Sequence, residues 1–287
     1  MISIQNLSFR YQGTSTLALD NVSLEISKGD FLGVIGESGA GKTTLANCIN
    51  ALIPHHFHGD YFGKVIVDGT DTFDTDPGSL ALRVGTVFQD PDTQMVADIV
   101  EDEIRFGLEN FGIPKDLIEE RISSILNDTG ITPLRHRRIR DLSGGQKQKV
   151  AIAAITALEP DILVLDEPTG ELDPASSRQI FTLVKTLNKK RGITVVIIEQ
   201  KIMLMCEFAA HLVVMAHGKI IRSGTVRDVL SDIKELENAG INYPRTVRLY
   251  HELAGQRLIT QTEPVCVTTA DAAGLISRII NTGKTAL

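Results

Sequence analysis

Gly36-Glu37-Ser38-Gly39-Ala40-Gly41-Lys42-Thr43 decides how this 287-residue chain is read. The stretch fits the phosphate-binding pattern G-x-x-x-x-G-K-[ST]. Before it, Phe31-Leu32-Gly33-Val34-Ile35 predicts a buried strand, and residues 44–53 after it predict a helix. Glycines let the backbone wrap closely enough for its N–H groups to face phosphate oxygens, and the helix N-terminus adds positive potential. Gly36 through Thr44 are therefore the expected nucleotide contacts: Gly36, Glu37, Ser38, Gly39, Ala40, Gly41, Lys42, Thr43 and Thr44. Lys42 is expected to reach the β- and γ-phosphates, and the Thr43 hydroxyl to ligate magnesium.

The rest of the chain is consistent with a soluble globular protein. No window approaches the ~20 apolar residues needed to cross a bilayer. The N-terminus, MISIQNLSFR, lacks the basic-then-apolar order of a signal peptide. Cys48, Cys206 and Cys266 have no metal-ligand spacing, and their odd number argues against a disulfide framework. A net charge of −7 disfavours a large nucleic-acid footprint, so no nucleic-acid partner is expected.

Apolar alternation at Ile2, Ile4, Leu7 and Phe9, and at Val22, Leu24 and Ile26, predicts antiparallel strands near the start. Residues 65–67 suggest another. Continuous apolar runs at 84–88, 162–165 and 194–198 alternate with helical stretches, the pattern of a parallel sheet built from βαβ units. Two helices are expected within 96–127, the second starting near Pro114, as a helical insertion spanning about 90–158. After Ser223-Gly224 the pattern shifts to short helices and loops, so 225–287 is expected to be a C-terminal extension.

Ile162-Leu163-Val164-Leu165-Asp166-Glu167-Pro168 is an apolar strand ending in two acids. A buried strand places such acids at its C-terminal end, here toward the phosphate loop of a neighbouring strand. Asp166 is expected to hold magnesium, and Glu167 to orient or deprotonate the attacking water. Upstream lies Leu142-Ser143-Gly144-Gly145-Gln146, where Ser143, Gly144, Gly145 and Gln146 open a helix and form a second anion site. One nucleotide does not need two such sites in one chain, so the second is expected to serve ATP bound to another subunit.

GESGAGKTT, LSGGQ and ILVLDEP, in this order and spacing, resemble the nucleotide-binding domain of ABC transporters over about residues 1–222. The resemblance implies an α/β fold of the P-loop NTPase (RecA-like) type. It would have a parallel sheet core, an N-terminal antiparallel β-subdomain, an inserted helical subdomain and a small C-terminal extension. It also implies an ATPase dimerised head to tail, with ATP and Mg2+ between phosphate loop and LSGGQ. By the same resemblance Tyr11 would stack on adenine. Gln89 would reach the metal and the reacting centre and link them to a transmembrane subunit, and Leu172-Asp173 would cross the dimer interface. Leu52-Ile53-Pro54-His55-His56, KVIVDG, VFQDP and VEDEIRFG resemble energy-coupling-factor importers of vitamins or transition-metal ions. Tyr243-Pro244, Thr246-Val247 and Pro264-Val265 fit that group's C-terminal extension, which helps the ATPases hold together. The implied place of work is the cytoplasmic face of the cell membrane. The rival readings are a soluble ABC ATPase acting on ribosomes or DNA, and the ATPase of another transporter class.

One departure stands out. Where the family usually has histidine after the strand 194–198, this chain has Gln200, which can donate a hydrogen bond but cannot become cationic. The second ATPase subunit could be an identical copy, but that substitution points rather to a heterodimer with one fast and one slow site. His55, His56 and His58 are expected on a surface loop. Arg135, Arg137, Arg138 and Arg140 are expected in a solvated one. Asp98, Glu101, Asp102 and Glu103 are candidates for meeting arginines of a membrane subunit.

Overall fold

The structure is a computed structural model that describes residues 1–260 and 263–284. Ten strands follow in chain order: β1 (Ile2–Tyr11), β2 (Leu19–Ile26), β3 (Phe31–Gly36), β4 (Gly59–Val67), β5 (Thr70–Asp71), β6 (Val84–Val87), β7 (Ile162–Asp166), β8 (Thr194–Ile198), β9 (His211–Ala216) and β10 (Lys219–Thr225). They form two sheets, a four-stranded one ordered β2-β1-β4-β5 and a six-stranded one ordered β10-β9-β3-β8-β7-β6.

The main sheet is parallel from β9 to β6, with β10 antiparallel at its edge. Both faces are apolar because alternate residues point to opposite sides. Ile35, Leu163, Leu165, Val195, Ile197 and Leu212 join the core under the helices. Val34, Ile162, Val164, Val196, Ile198 and Val213 join a second core shared with the antiparallel sheet. The latter is completed by Ile2, Ile4, Leu7 and Phe9 of β1 and by Leu45 and Ile49 from the helix Lys42–Ile49. Each such aliphatic side chain contributes roughly 1.5–3 kcal/mol on burial.

Two local expectations are revised. The helix after the phosphate loop ends at Ile49, because Ala51 turns left-handed at φ 61° and a separate short turn, Leu52–His55, follows. And β7 is not the neighbour of β3: β8 lies between them. The apolar run of β8 therefore carries Gln200 out between the phosphate loop and the two acids.

The helical insertion consists of Pro91–Gln94, Val100–Asn110 and Lys115–Asp128, followed by the long helix Gly144–Thr156. Ile118, Ile122, Ile125 and Leu126 are buried on one side of its third helix. The C-terminal extension adds four helices, Val226–Leu230, Ile233–Asn238, Arg245–Gly255 and Thr269–Lys284. Residues 261, 262 and 285–287 of that stretch lie outside the described residues. Its apolar residues Val226, Val229, Leu230, Leu236, Val247 and Leu275 belong to the same core cluster as the main sheet. Among the described residues no helix is long and apolar enough to cross a membrane.

Candidate functional site

The phosphate loop leaves β3 at Gly36 and enters its helix at Lys42. Two glycines hold its shape. A Cβ on Gly36 would lie 2.4 Å from the Met215 carbonyl oxygen, and Gly41 has φ +99° with the Ala18 carbonyl oxygen 2.4 Å from a Cβ position. Lys42 is buried and folds back, its Nζ donating to the Gly36 and Glu37 carbonyls, each at 2.9 Å. The ammonium therefore sits over the mouth of the loop, held by neutral acceptors that an anionic ligand would outcompete. Glu37, Ser38, Gly39 and Thr43 are exposed to the same mouth. Tyr11 ends β1 beside this helix and shares a hydrogen bond of 3.2 Å with Thr44 Oγ1. Its ring packs edge-on against Phe9 at 4.8 Å.

Asp166 ends β7 with Oδ1 buried and without a hydrogen-bond partner among the described residues. Burial raises its pKa, while the Thr43 side chain bonds the carboxylate and Lys42 attracts it. A buried, half-satisfied carboxylate is costly on its own. With the Thr43 hydroxyl bonded to it, it offers oxygen donors of the kind that suit a hard divalent cation.

Glu167 follows in a left-handed conformation at φ 48°, unusual for a side chain of this kind. Its backbone N–H donates to Ile198 O at 2.9 Å, which ties the end of β7 to that of β8. Its Oε1 accepts from Gln200 Nε2 at 2.9 Å. Gln89, just past β6, borders the same space: a Cβ on Gly170 would lie 3.6 Å from Gln89 Nε2 and 3.9 Å from Glu167 Oε2. Lys42, Thr43, Asp166, Glu167, Gln89 and Gln200 thus converge from four strand ends, with a cavity of about 430 Å³ beside Glu37, Ser38 and Gln200.

The LSGGQ residues sit elsewhere. Ser143 caps the helix Gly144–Thr156, accepting from Gln146 N, while Gln146 Oε1 accepts from Ser143 N at 3.0 Å. Among the described residues no hydrogen bond joins Ser143–Gln146 to the phosphate loop. Their contacts are with the segment after Glu167: Leu172 Cδ2 is 3.3 Å from a Cβ position on Gly144, and Ser176 Cβ is 3.2 Å from one on Gly145.

Several expectations are corrected. Arg135 is not solvated; its side chain is 23 % exposed and bonds Glu101 at 2.7 Å and Glu119 at 2.6 Å. Glu101 also pairs with Arg105, and these arginines, Arg135 foremost, hold its pKa down to about 2. Glu103 is buried and accepts from the N–H groups of Val96 and Ala97. Two of the four acids are therefore internal, and only Asp98 and Asp102 remain exposed. His55, His56 and His58 are exposed as expected, but His55 ends the short turn Leu52–His55 and bonds Thr72 O, while His58 in the loop beyond bonds Pro54 O. Cys48, Cys206 and Cys266 are free and buried, and burial pushes the Cys206 thiol up to about 12. Glu199, Lys201 and Thr169, whose importance the sequence reading missed, form a dense polar knot under Gln200. The only signal for them was a carboxylate directly after an apolar strand.

The chain is similar to known proteins along most of its length. The family model described as ABC transporter matches residues 19–170. The energy-coupling factor transporter ATP-binding protein EcfA1 of Clostridium novyi is 39% identical over 258 residues, covering 88% of this chain and 90% of that protein. Among solved structures, cbiO1 of Clostridium perfringens, part of the ABC transporter complex cbiONQ, superposes with a TM-score of 0.75 at 30% identity, covering 87% of this chain and 98% of that one. A dimeric ATP-binding cassette in a post-hydrolysis state bound to ADP and Pi gives a TM-score of 0.68 at 28% identity, covering 79% and 99%.

Proposed function

Since the chain belongs to the ABC transporter family and is an ATPase of that fold, we propose that it powers an importer of the energy-coupling-factor type. It would work at the cytoplasmic face of the membrane, in a head-to-tail ATPase dimer docked on a transmembrane subunit. The cargo would be a vitamin or a transition-metal ion. Likeness to EcfA1 and to cbiO1 covers 88% and 87% of this chain, more than residues 1–222 hold, so it reaches into the C-terminal extension and supports this subgroup. The observation that carries the dimer is the separation of the two anion sites. Phosphate loop, Asp166, Glu167 and Gln200 converge, while Ser143–Gln146 packs on Leu172 and Ser176.

In this reading Lys42 and the loop amides bind the phosphates, and Tyr11 receives the adenine. Magnesium, held by Thr43, Asp166 and Gln89, would neutralise charge on the β- and γ-phosphate oxygens. The orphaned Asp166 Oδ1 is the group that such an ion would satisfy. Glu167 orients the attacking water and takes its proton, and Gln200 holds Glu167 and donates toward the γ-phosphate. Residues 1–222 would be the ATPase domain and 225–287 the extension that steadies the dimer. In the segment that begins beside Gln89, the exposed side chains Phe88, Val96 and Phe106 would offer the membrane subunit apolar contacts, and the exposed Asp98 and Asp102 charged ones. Gln200 in place of histidine favours pairing with a different ATPase.

The test is to purify the tagged chain from detergent-solubilised membranes and identify what accompanies it, by mass spectrometry for proteins and for bound small molecules and metals. Integral membrane subunits and a second ATPase are expected. Recovery with ribosomal or nucleic-acid material in their place would sink the reading.

A further inference from the structure

Gln200 is exposed, yet the residues on either side of it are turned into the protein. Glu199 is 1 % exposed. Its Oε1 accepts from Thr169 N at 3.0 Å and from the Thr169 hydroxyl, and its Oε2 accepts from Gln200 N at 2.9 Å and Lys201 N at 3.2 Å. Lys201 uses all three donors of its ammonium: Nζ bonds Thr169 O, Leu172 O at 2.8 Å and Ser177 Oγ at 2.8 Å. Thr169 is thus held at its N–H, hydroxyl and carbonyl by two oppositely charged residues that flank Gln200.

A turn after a strand needs no such device, and withdrawing two charges from water is costly unless every donor and acceptor is met. Here they are met, and both charges grip the segment between Glu167 and the helix Pro174–Arg191. Asp173 caps that helix through Ala175 N and Ser176 N, so the grip extends to the Leu172-Asp173 loop.

We propose that Glu199 and Lys201 are positioning residues for ATP hydrolysis. They form a bracket that holds Gln200 against Glu167 and fixes the Leu172-Asp173 loop to the same rigid body. The inference rests on the head-to-tail dimer: a change at one nucleotide's Gln200 is then passed to the loop that meets the other nucleotide. Both carboxylate oxygens of Glu199 and all three ammonium donors of Lys201 are spent on bonds within the protein, so their effect falls on turnover and on closure of the dimer rather than on ATP affinity.

The experiment uses the full chain. Lys201→Met keeps the apolar stem and removes the donors. Its kcat is expected to fall on the order of 10–100-fold with KM for ATP within about twofold of wild type. Placed in a Glu167→Gln background, it should impair ATP-driven dimerisation followed by analytical ultracentrifugation. Thr169→Ser retains the hydroxyl and should keep near wild-type turnover, whereas Thr169→Val loses it and should fall with Lys201→Met. A staple for the fold alone would lower the melting temperature and leave kcat per folded molecule unchanged, which overturns the proposal. So does a loss that appears in KM. Should Lys201→Met fail to fold, Ser177→Ala removes one of the three Lys201 bonds together with the Ser177 hydroxyl's own bonds to Leu172 O and Asp173 O, and should lower kcat by a smaller factor at unchanged KM; unchanged kcat there overturns the proposal. A Glu167→Gln parent that binds ATP and stays monomeric overturns the dimer reading, and the coupling with it. A parent that dimerises beside a Lys201→Met variant that dimerises and turns over equally overturns the bracket alone.

Discussion

Gln200 Nε2 donates to Glu167 Oε1 across 2.9 Å, so the residue in the place of the family's usual histidine bonds the proposed base directly. In the proposed mechanism Gln200 would orient the base as well as donate toward the γ-phosphate. Gln200→Ala is expected to lower kcat on the order of 10²-fold with ATP affinity retained. Gln200→His should raise the turnover of the purified homodimer. Steady-state kinetics on the three proteins checks both, and a brisk wild-type homodimer would remove the reason to expect asymmetric sites.

In the proposed mechanism Lys42 and Glu167 divide binding from turnover. Lys42 lies over the loop mouth, while Glu167 is held at the far side of the site by Ile198 O and Gln200. Lys42→Ala should lose ATP binding, and Glu167→Gln should keep it and lose hydrolysis. Titration with a fluorescent ATP analogue together with phosphate release distinguishes them; wild-type hydrolysis by Glu167→Gln would refute the assigned role.

Asp166 pits stability against function. Burial raises its folded pKa, so the folded state binds the proton more tightly than the unfolded one. The charged form then costs stability progressively as pH rises from the unfolded value through the raised folded one, and the cost is complete above the latter. Asp166→Asn removes the charge. Without nucleotide it should melt on the order of 2–4 °C higher than wild type. Addition of Mg-ATP should raise the wild-type melting temperature by more than that of the variant.

Glu101 gives the opposite sign. Its folded pKa is held at about 2, first by the Arg135 hydrogen bond, below the ordinary 4.5. Its stabilisation is fully present above about pH 5 and is lost as pH falls from 4.5 toward 2. The melting-temperature gap between wild type and Glu101→Gln should therefore be constant near neutrality and close through that window. Charge reversal at Glu101 should loosen the helical insertion itself, so Asp98→Lys and Asp102→Lys are the substitutions that probe docking. They should weaken assembly with the membrane subunit and leave ATP binding intact.

The phosphate loop, the two acids and LSGGQ were legible because each is local: a few residue types at fixed spacing, next to a strand or helix whose period can be read. The antiparallel start and the parallel runs were legible for the same reason. The placement of β8 between β3 and β7 was not, since strand order depends on crossovers that leave no local mark. Nor were the partners of Arg135 and Glu101, which meet across 34 residues, or the knot at Thr169, whose members are 30 residues apart. Charges in sequence look solvated by default; only the fold reveals which find each other.

The C-terminal helices contribute Val226, Leu236 and Leu275 to the cluster that also contains Leu163 and Val195 of the main sheet. Segments that recombine freely in evolution meet through thin polar seams, whereas here Val226, Val229 and Leu230 are buried where the helix Val226–Leu230 packs on β9 and β10. A methyl group gained or lost on one side is felt as a clash or a void on the other. The extension and the sheet it covers must therefore drift together, each confining the substitutions open to the other. Grafting this extension onto another ATPase would transplant half of an interior without the half that fits it.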